Sequence, residues 1–278
     1  MEPVAWGEEI DSAGTGSALM VSVVIPTLDE ERNIGWVLER LPAAVDEVIL
    51  VDGRSTDGTV AAARAARPDV RVVYELRRGK GAALRAGFGA ARGDVIVMMD
   101  ADGSMHPAEL VRYVELIGQG YDLVKGSRFL PGGGTADISR LRAAGNLALL
   151  GFANWLFYCE FTELCYGFMA LRRSAVPRLR LTADGFEIET QIVASALRER
   201  LRVAEVPSFE AARRNGVSNL RTFRDGSRVL RELVRASRPR PVVELAPDAV
   251  PTLAVALPGP AAGTAPPMIE TATCEPTP

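Results

Sequence analysis

Val95-Ile96-Val97-Met98-Met99-Asp100-Ala101-Asp102-Gly103 decides the fold. A continuous apolar run of this length, bounded by polar residues, is the pattern of a strand buried on both faces. It ends on two carboxylates two residues apart. On an extended chain those side chains would point to opposite sides, so the backbone must turn for both to reach one ion, and Gly103 permits that turn. A pair of hard oxygen ligands suits Mg²⁺ or Mn²⁺, cations that bind through few carboxylates together with substrate phosphates.

Working outward, the same grammar repeats. Val21–Ile25, Glu47–Val51 and Val70–Tyr74 read as strands, and Val203–Pro207 as a short one. Between them lie helical segments: Ile34, Leu38 and Leu41 at helical spacing, Thr59–Arg67 entered through Ser55, Thr56 and Asp57, and Gly81–Ala91. Pro107 opens the next helix at a favoured first-turn position, with His106 as its turn residue. Strands alternating with helices specify an α/β fold with a mostly parallel sheet, in which ligands bind beyond the carboxyl ends of the strands. Every polar motif sits at such an end: Pro26-Thr27-Leu28-Asp29-Glu30, Asp52-Gly53-Arg54-Ser55-Thr56-Asp57-Gly58-Thr59, Arg77-Arg78-Gly79-Lys80-Gly81 and the Asp100/Asp102 pair. In register along one sheet edge they describe a slot for a base, a ribose, a diphosphate and a metal.

Rival chemistries fail on spacing. A calcium hand needs glycine and glutamate where Met105 and Val111 stand. A phosphate loop ending in Gly-Lys-Ser/Thr is excluded because Gly81 follows Lys80 and Tyr74 occupies the first glycine's place. Gly87-Phe88-Gly89 lies within a helix, not after a strand, so it is no dinucleotide fingerprint. A haloacid-dehalogenase-type phosphatase would need a second acidic pair behind another apolar strand.

The 278 residues are 47% apolar and 24% charged, in the globular range. Net charge is −3, which argues against a nucleic-acid binder. Both ends are acidic and the body, residues 21–240, is mildly basic. Three cysteines (Cys159, Cys165, Cys274) show no metal spacing, which fits a reducing, cytoplasmic compartment. No signal peptide is visible at the N-terminus. The apolar stretch Ala143–Tyr158, broken by Gly145, Asn146, Gly151 and Asn154, is shorter than the roughly 20 residues a spanning helix needs. Gly185–Arg200 reads as a helix and 126–142 as a loop. From Pro239 on, ten of the 18 prolines crowd together with Ala and Thr, a composition expected to be disordered. The expected organisation is a flexible 1–19, a catalytic domain over 20–238 and a disordered 239–278.

The segments PTLDEERNI, VDGRSTDGT, RRGKGAALRAGF, MMDADG and KGSRF, in this order, resemble family 2 glycosyltransferases with the GT-A fold, and most of all the branch of dolichol- and polyprenyl-phosphate mannose or glucose synthases. The resemblance spans roughly residues 21–236. It implies that Pro26, Thr27, Asp29, Glu30 and Asp52 line the nucleobase and ribose of a UDP- or GDP-hexose. Lys80 and Arg85 would lie near the phosphates, Asp100 and Asp102 would hold the metal on the diphosphate, and Ala101 would lie with them against the nucleotide sugar. Ser127 and Arg128 match the loop that approaches sugar and acceptor. Thr162-Glu163, Gly185-Phe186-Glu187-Ile188-Glu189 and the Arg213-Arg214…Ser218 segment match the acceptor side. The chain departs from the family pattern at Gly53, where a second Asp is frequent, at Ser104 for Gln, at Glu163 for Asp, and at Asn219 for Lys.

The expected activity is inverting, metal-dependent hexosyl transfer to a polyprenyl phosphate, with Asp102, Glu163 and Arg128 as catalytic residues and Glu163 as base if one is used. A soluble acceptor, or a silent sugar-nucleotide-binding protein, remains open. Arg221, Arg224, Arg228, Arg231 and Arg235 share one helix face, which suits either an anionic membrane surface or a solvated face. Trp155, Phe157 and Tyr158 suit an interfacial rim or a core. A peripheral position at the inner membrane face is expected.

Overall fold

A computed structural model describes residues 19–136, 140–216 and 222–236 and two further strands at 252–256 and 269–273. The first half alternates as expected: β1 (Val21–Thr27), α1 (Glu31–Leu38), β2 (Glu47–Asp52), α2 (Thr59–Ala66), β3 (Arg71–Tyr74), α3 (Lys80–Ala90), β4 (Val95–Met98) and, after a 3-10 turn at Pro107–Glu109, α4 (Leu110–Gly118). The second half runs β5 (Leu123–Ser127), β6 (Gly134–Thr135), α5 (Arg140–Phe157), β7 (Met169–Arg172), α6 (Val176–Leu179), α7 (Ile188–Arg198), β8 (Val203–Pro207), β9 (Phe209–Glu210), α8 (Thr222–Ala236), β10 (Thr252–Ala256) and β11 (Ile269–Thr273).

One sheet holds nine strands in the order β11-β10-β8-β5-β7-β4-β1-β2-β3. The pairs β1–β2, β2–β3, β1–β4, β5–β8 and β8–β10 are parallel. Alternate residues of each strand feed two cores, as the two-residue period of a strand requires. Val24, Ile49, Ile96 and Met98 pack under α3, α5, α7 and α8. Val23, Ile25, Val48 and Val97 pack under α1, α2 and α4.

The mostly parallel sheet has one reversed interior strand, and two stretches of chain depart from the sequence reading. The strand β7 runs antiparallel to both neighbours, β4 and β5. Its leading residues, Cys165-Tyr166-Gly167, therefore lie at the same sheet edge as the carboxyl ends of β4 and β5. Within the proline-rich 239–278, expected to be disordered throughout, 252–256 adds in parallel to β8 and 269–273 closes the edge antiparallel. Each is a proline-free run of five residues, and β8 offers an open row of backbone donors and acceptors on that side. The expected loop over 126–142 shrinks, since Gly126 and Ser127 extend β5 and α5 begins at Arg140.

Candidate active site

A cleft of about 470 Å³ opens beyond the carboxyl ends of β1, β4 and β5 and is walled by α5 and α8, within the range of small-ligand sites. At one end lie Pro26, Thr27, Glu30 and Gly53. The loops behind them are tied to one another. Asp29, in the left-handed region at φ 56°, accepts from Thr56 N at 2.7 Å. Asp52 is 4% exposed and receives Ser55 N at 3.3 Å on both oxygens.

The carboxylate pair occupies the middle. Gly103, at φ 74°, makes the turn that brings both carboxylates to the cleft. Asp102 Oδ1 accepts from Ser104 N and Oγ at 3.0 and 2.7 Å, and its Oδ2 accepts from Arg213 Nη1 at 3.2 Å. Arg213 also donates to Glu30, so one guanidinium spans the ends of β1 and β4. Lys80 Nζ lies 2.5 Å from Asp100 and 2.7 Å from Glu189. It is delivered by Gly79, whose φ of 117° and close approach to the Asp184 carbonyl leave no room for a Cβ. Burial alone would lower the Lys80 pKa, but Asp100 and Glu189 outweigh it and raise it. The Asp100 carboxyl is pushed up, first by burial and then by Asp102 and Glu210, against the pull of Lys80.

Six carboxylates (Glu30, Asp100, Asp102, Glu189, Glu210, Asp225) meet three cations (Lys80, Arg128, Arg213) along the cleft. That acidic excess, with two hard oxygen ligands on one turn, fits a divalent cation. Among the described residues no group of three or more metal-ligating side chains is placed to hold an ion.

At the far end Arg128 donates Nε to Glu163 at 2.7 Å, Nη1 to Glu210 at 2.8 Å and Nη2 to the Cys165 carbonyl at 3.1 Å. Its guanidinium carbon lies 5.0 Å from the Tyr166 ring centre. Glu163 is fully buried and accepts from Arg128, Asn146 Nδ2 (3.0 Å), Leu164 N and Cys165 N (3.1 Å each). Burial pushes its pKa up, yet Arg128, Lys125 and Asn146 more than offset that and hold it below the usual value. Beneath it, the fully buried Lys125 donates to the Glu163 carbonyl at 2.7 Å and pairs with Glu205 at 3.5 Å. Glu205 in turn receives Thr162 N at 2.8 Å and Glu163 N at 3.2 Å.

Residues 22–180 match the family described as Glycosyl transferase family 2. The chain is a family 2 glycosyltransferase. It is 33% identical over 232 residues to the polyprenol monophosphomannose synthase of Mycolicibacterium smegmatis, covering 77% of this chain and 88% of that protein. It is 34% identical over 214 residues to the undecaprenyl-phosphate mannosyltransferase of Micrococcus luteus, covering 73% and 88%. Among solved structures, glucosyl-3-phosphoglycerate synthase from Mycobacterium tuberculosis in complex with Mn²⁺, UDP-glucose and phosphoglyceric acid superposes with a TM-score of 0.65 at 27% identity, covering 79% of this chain and 80% of that one. The fold is the GT-A arrangement expected of such transferases.

The glycosyltransferase cleft gathers Pro26, Thr27, Glu30, Lys80, Asp100, Ala101, Asp102, Arg128, Glu189 and Arg213. Arg213, expected on the acceptor side, instead caps Asp102 and Glu30. Several expected residues stand apart from the cavity. Arg85 staples α3 to the Ala183 carbonyl and Asp184. Arg214 stacks on Trp36 at 4.6 Å. Glu187 faces Arg228 at 4.0 Å. Ser127 is buried against Thr162 at 2.6 Å, and Ser218 lies outside the described residues. Glu163 sits behind Arg128, fully buried and hydrogen-bonded on both oxygens, which is the geometry of a positioning carboxylate and not of a base. Sequence reasoning missed Glu210, Asp225 and Asn146 as lining residues. For Asn146 the signal was a polar side chain interrupting an apolar run.

The cleft wall has an outer face as well. From Ala143 to Phe157, α5 carries no charged residue. It exposes Leu147 (53%) and Trp155 (69%), and Tyr158 (55%) follows directly after it. The neighbouring α8 exposes Leu230 and Val234 among Arg224, Arg231 and Arg235, while Arg228 turns inward to Asp225 at 3.6 Å. Among the described residues no helix is long and apolar enough to cross a membrane.

Proposed function

We propose that this glycosyltransferase moves a hexosyl group from a UDP- or GDP-hexose to a polyprenyl phosphate, inverting the anomeric carbon, while lying peripherally on an anionic membrane surface. The catalytic unit is residues 20–238. The observation that carries the acceptor assignment is α5: one side walls the cleft with Gly145, Asn146 and Leu149, and the other is an exposed uncharged stripe. A lipid phosphate held in the bilayer would meet the cleft beside that wall, with the α8 arginines over anionic headgroups.

In this reading Pro26, Thr27 and Gly53 receive the nucleoside. Lys80 and Arg213, already aimed at Asp100 and Asp102, stand where the diphosphate charge develops. Asp100 and Asp102 would hold a divalent cation, which supplies Lewis-acid stabilisation of the departing diphosphate. Arg128 orients the acceptor phosphate or the sugar, being suited to paired contacts with oxyanions. A polyprenyl phosphate is already anionic near neutral pH and requires no proton removal. The buried, ionised Glu163 accords with this.

The likeness to glucosyl-3-phosphoglycerate synthase supports a second reading, a soluble phosphorylated acceptor. The test incubates the full chain with UDP- and GDP-hexoses, Mn²⁺, and either a short polyprenyl phosphate or phosphoglyceric acid. A lipid-linked sugar supports the first reading and product only with phosphoglyceric acid the second. No nucleotide release from any nucleotide sugar contradicts both.

A further inference from the structure

Asn146 is 7% exposed and lines the cleft from α5. Its Nδ2 donates to Glu163 Oε1 at 3.0 Å. An ionised carboxylate only accepts, so this bond fixes which way the amide points. The carbonyl end, Oδ1, is turned away from Glu163, is buried, and has no hydrogen-bond partner among the described residues. Buried acceptors are nearly always satisfied. An orphan of this kind on a cleft wall is an acceptor waiting for a ligand donor.

The sheet order says which part of the ligand arrives there. The nucleoside end of the cleft lies at β1 and β2 and the carboxylate pair at β4; β7 and β5 follow on the side away from β1. A nucleotide sugar whose diphosphate sits at Asp100 and Asp102 therefore extends its hexose toward Arg128 and Asn146. Both are held on one carboxylate, Arg128 on Glu163 Oε2 and Asn146 on Oε1. A hexose ring carries hydroxyl donors, whereas an ionised polyprenyl phosphate carries none.

Resting on the proposed transferase reading, we infer that Asn146 Oδ1 accepts a hydrogen bond from one hydroxyl of the transferred hexose and so helps decide which sugar is used. Glu163 is the positioning residue that aims it.

The test is a cycle between enzyme and substrate. Wild type, Asn146→Ala and Asn146→Ser are assayed by nucleotide release from the preferred nucleotide hexose and from its monodeoxy analogues, with Mn²⁺ and polyprenyl phosphate present. Thermal melts establish that each variant is folded. One analogue should lose about 10- to 100-fold in kcat/KM with wild type, the cost of leaving a buried acceptor unpaired, and Asn146→Ala should be nearly indifferent to that same hydroxyl. Asn146→Ser, whose hydroxyl ends one bond short of the amide, reaches neither Glu163 nor the sugar and should show the same indifference. If every analogue is discriminated by the variants as by wild type, the inference is overturned while the transferase reading stands. If wild type releases no nucleotide from any parent nucleotide sugar, the transferase reading itself has failed and the inference falls with it.

Discussion

The proposed nucleoside end of the cleft and the proposed sugar end are built differently. At the first, the loops are tied mainly to one another, by Asp29 to Thr56, Glu30 N to Thr59 at 2.8 Å and Glu31 N to Asp57 at 3.1 Å, all within 29 residues of chain, with Arg213 reaching Glu30 from far along it. At the second, ion pairs and hydrogen bonds reach across longer separations: Arg128 to Glu163 35 residues away and to Glu210 82 away, and Lys125 to Glu205 80 away. One end is a pair of neighbouring turns that hold each other. The other exists only once the whole chain is in place, and its charges are buried in the process. Damage should therefore stay local at the nucleoside end and spread at the sugar end.

Five variants break or sharpen that contrast. Asp102→Asn removes a hard oxygen ligand where diphosphate charge develops and should cut nucleotide release by about 10³-fold with little change in melting temperature; near-normal turnover would remove the metal assignment. Lys125→Met leaves Glu205 charged and buried, and urea denaturation should show a loss of about 3–5 kcal/mol. The double variant Lys125→Met/Glu205→Leu should recover most of it, because the desolvation of both charges disappears together.

Glu163→Gln should cost about 2 kcal/mol, the worth of hydrogen bonds to a charged group, and lower turnover roughly tenfold through a misplaced Arg128. Its pH dependence has a definite sign. Burial opposes ionisation of Glu163, but Arg128, Lys125 and Asn146 prevail, so its pKa is lowered from 4.5 on folding. The stabilisation is full above that unfolded value and is lost as pH falls through the lowered one. The gap in melting temperature between wild type and Glu163→Gln should be constant at neutral pH and close below 4.5. At the nucleoside end, Asp29→Ala should cost only about 1 kcal/mol in the same denaturation assay.

The contrast also explains what could be read in advance. The strands β1, β2 and β4 are β-branched runs that end on polar turns, so each announces both an element and a motif. Asp100, Asp102, Lys80 and Thr27 were legible as cleft residues because each sits where its strand or helix begins or ends. The direction of β7 was not, since Met169–Arg172 reads the same whether it runs parallel or antiparallel. Glu205, Glu210 and Asn146 gain meaning only from partners far along the chain. Arg85 and Arg214 matched the family pattern but are spent on Asp184 and Trp36, contacts no spacing rule reveals.

The smallest expected effect lies on the outer wall. Trp155→Ser, at a 69% exposed position, should leave stability within about 0.5 kcal/mol. Flotation with anionic liposomes should nonetheless fall about tenfold, since an apolar ring that enters the bilayer interface contributes on the order of 1–2 kcal/mol. Unchanged flotation would detach α5 from the membrane.

The central claim is that the carboxylate pair at the end of β4 grips a divalent cation bridging to a nucleoside diphosphate. Titration calorimetry of the full chain with UDP and with GDP, in Mn²⁺ and in EDTA, tests it most directly. Binding of one of them that appears with Mn²⁺, vanishes in EDTA and is lost in Asp100→Asn and Asp102→Asn is the result predicted. Binding equally strong in EDTA, or retained by both variants, would contradict it.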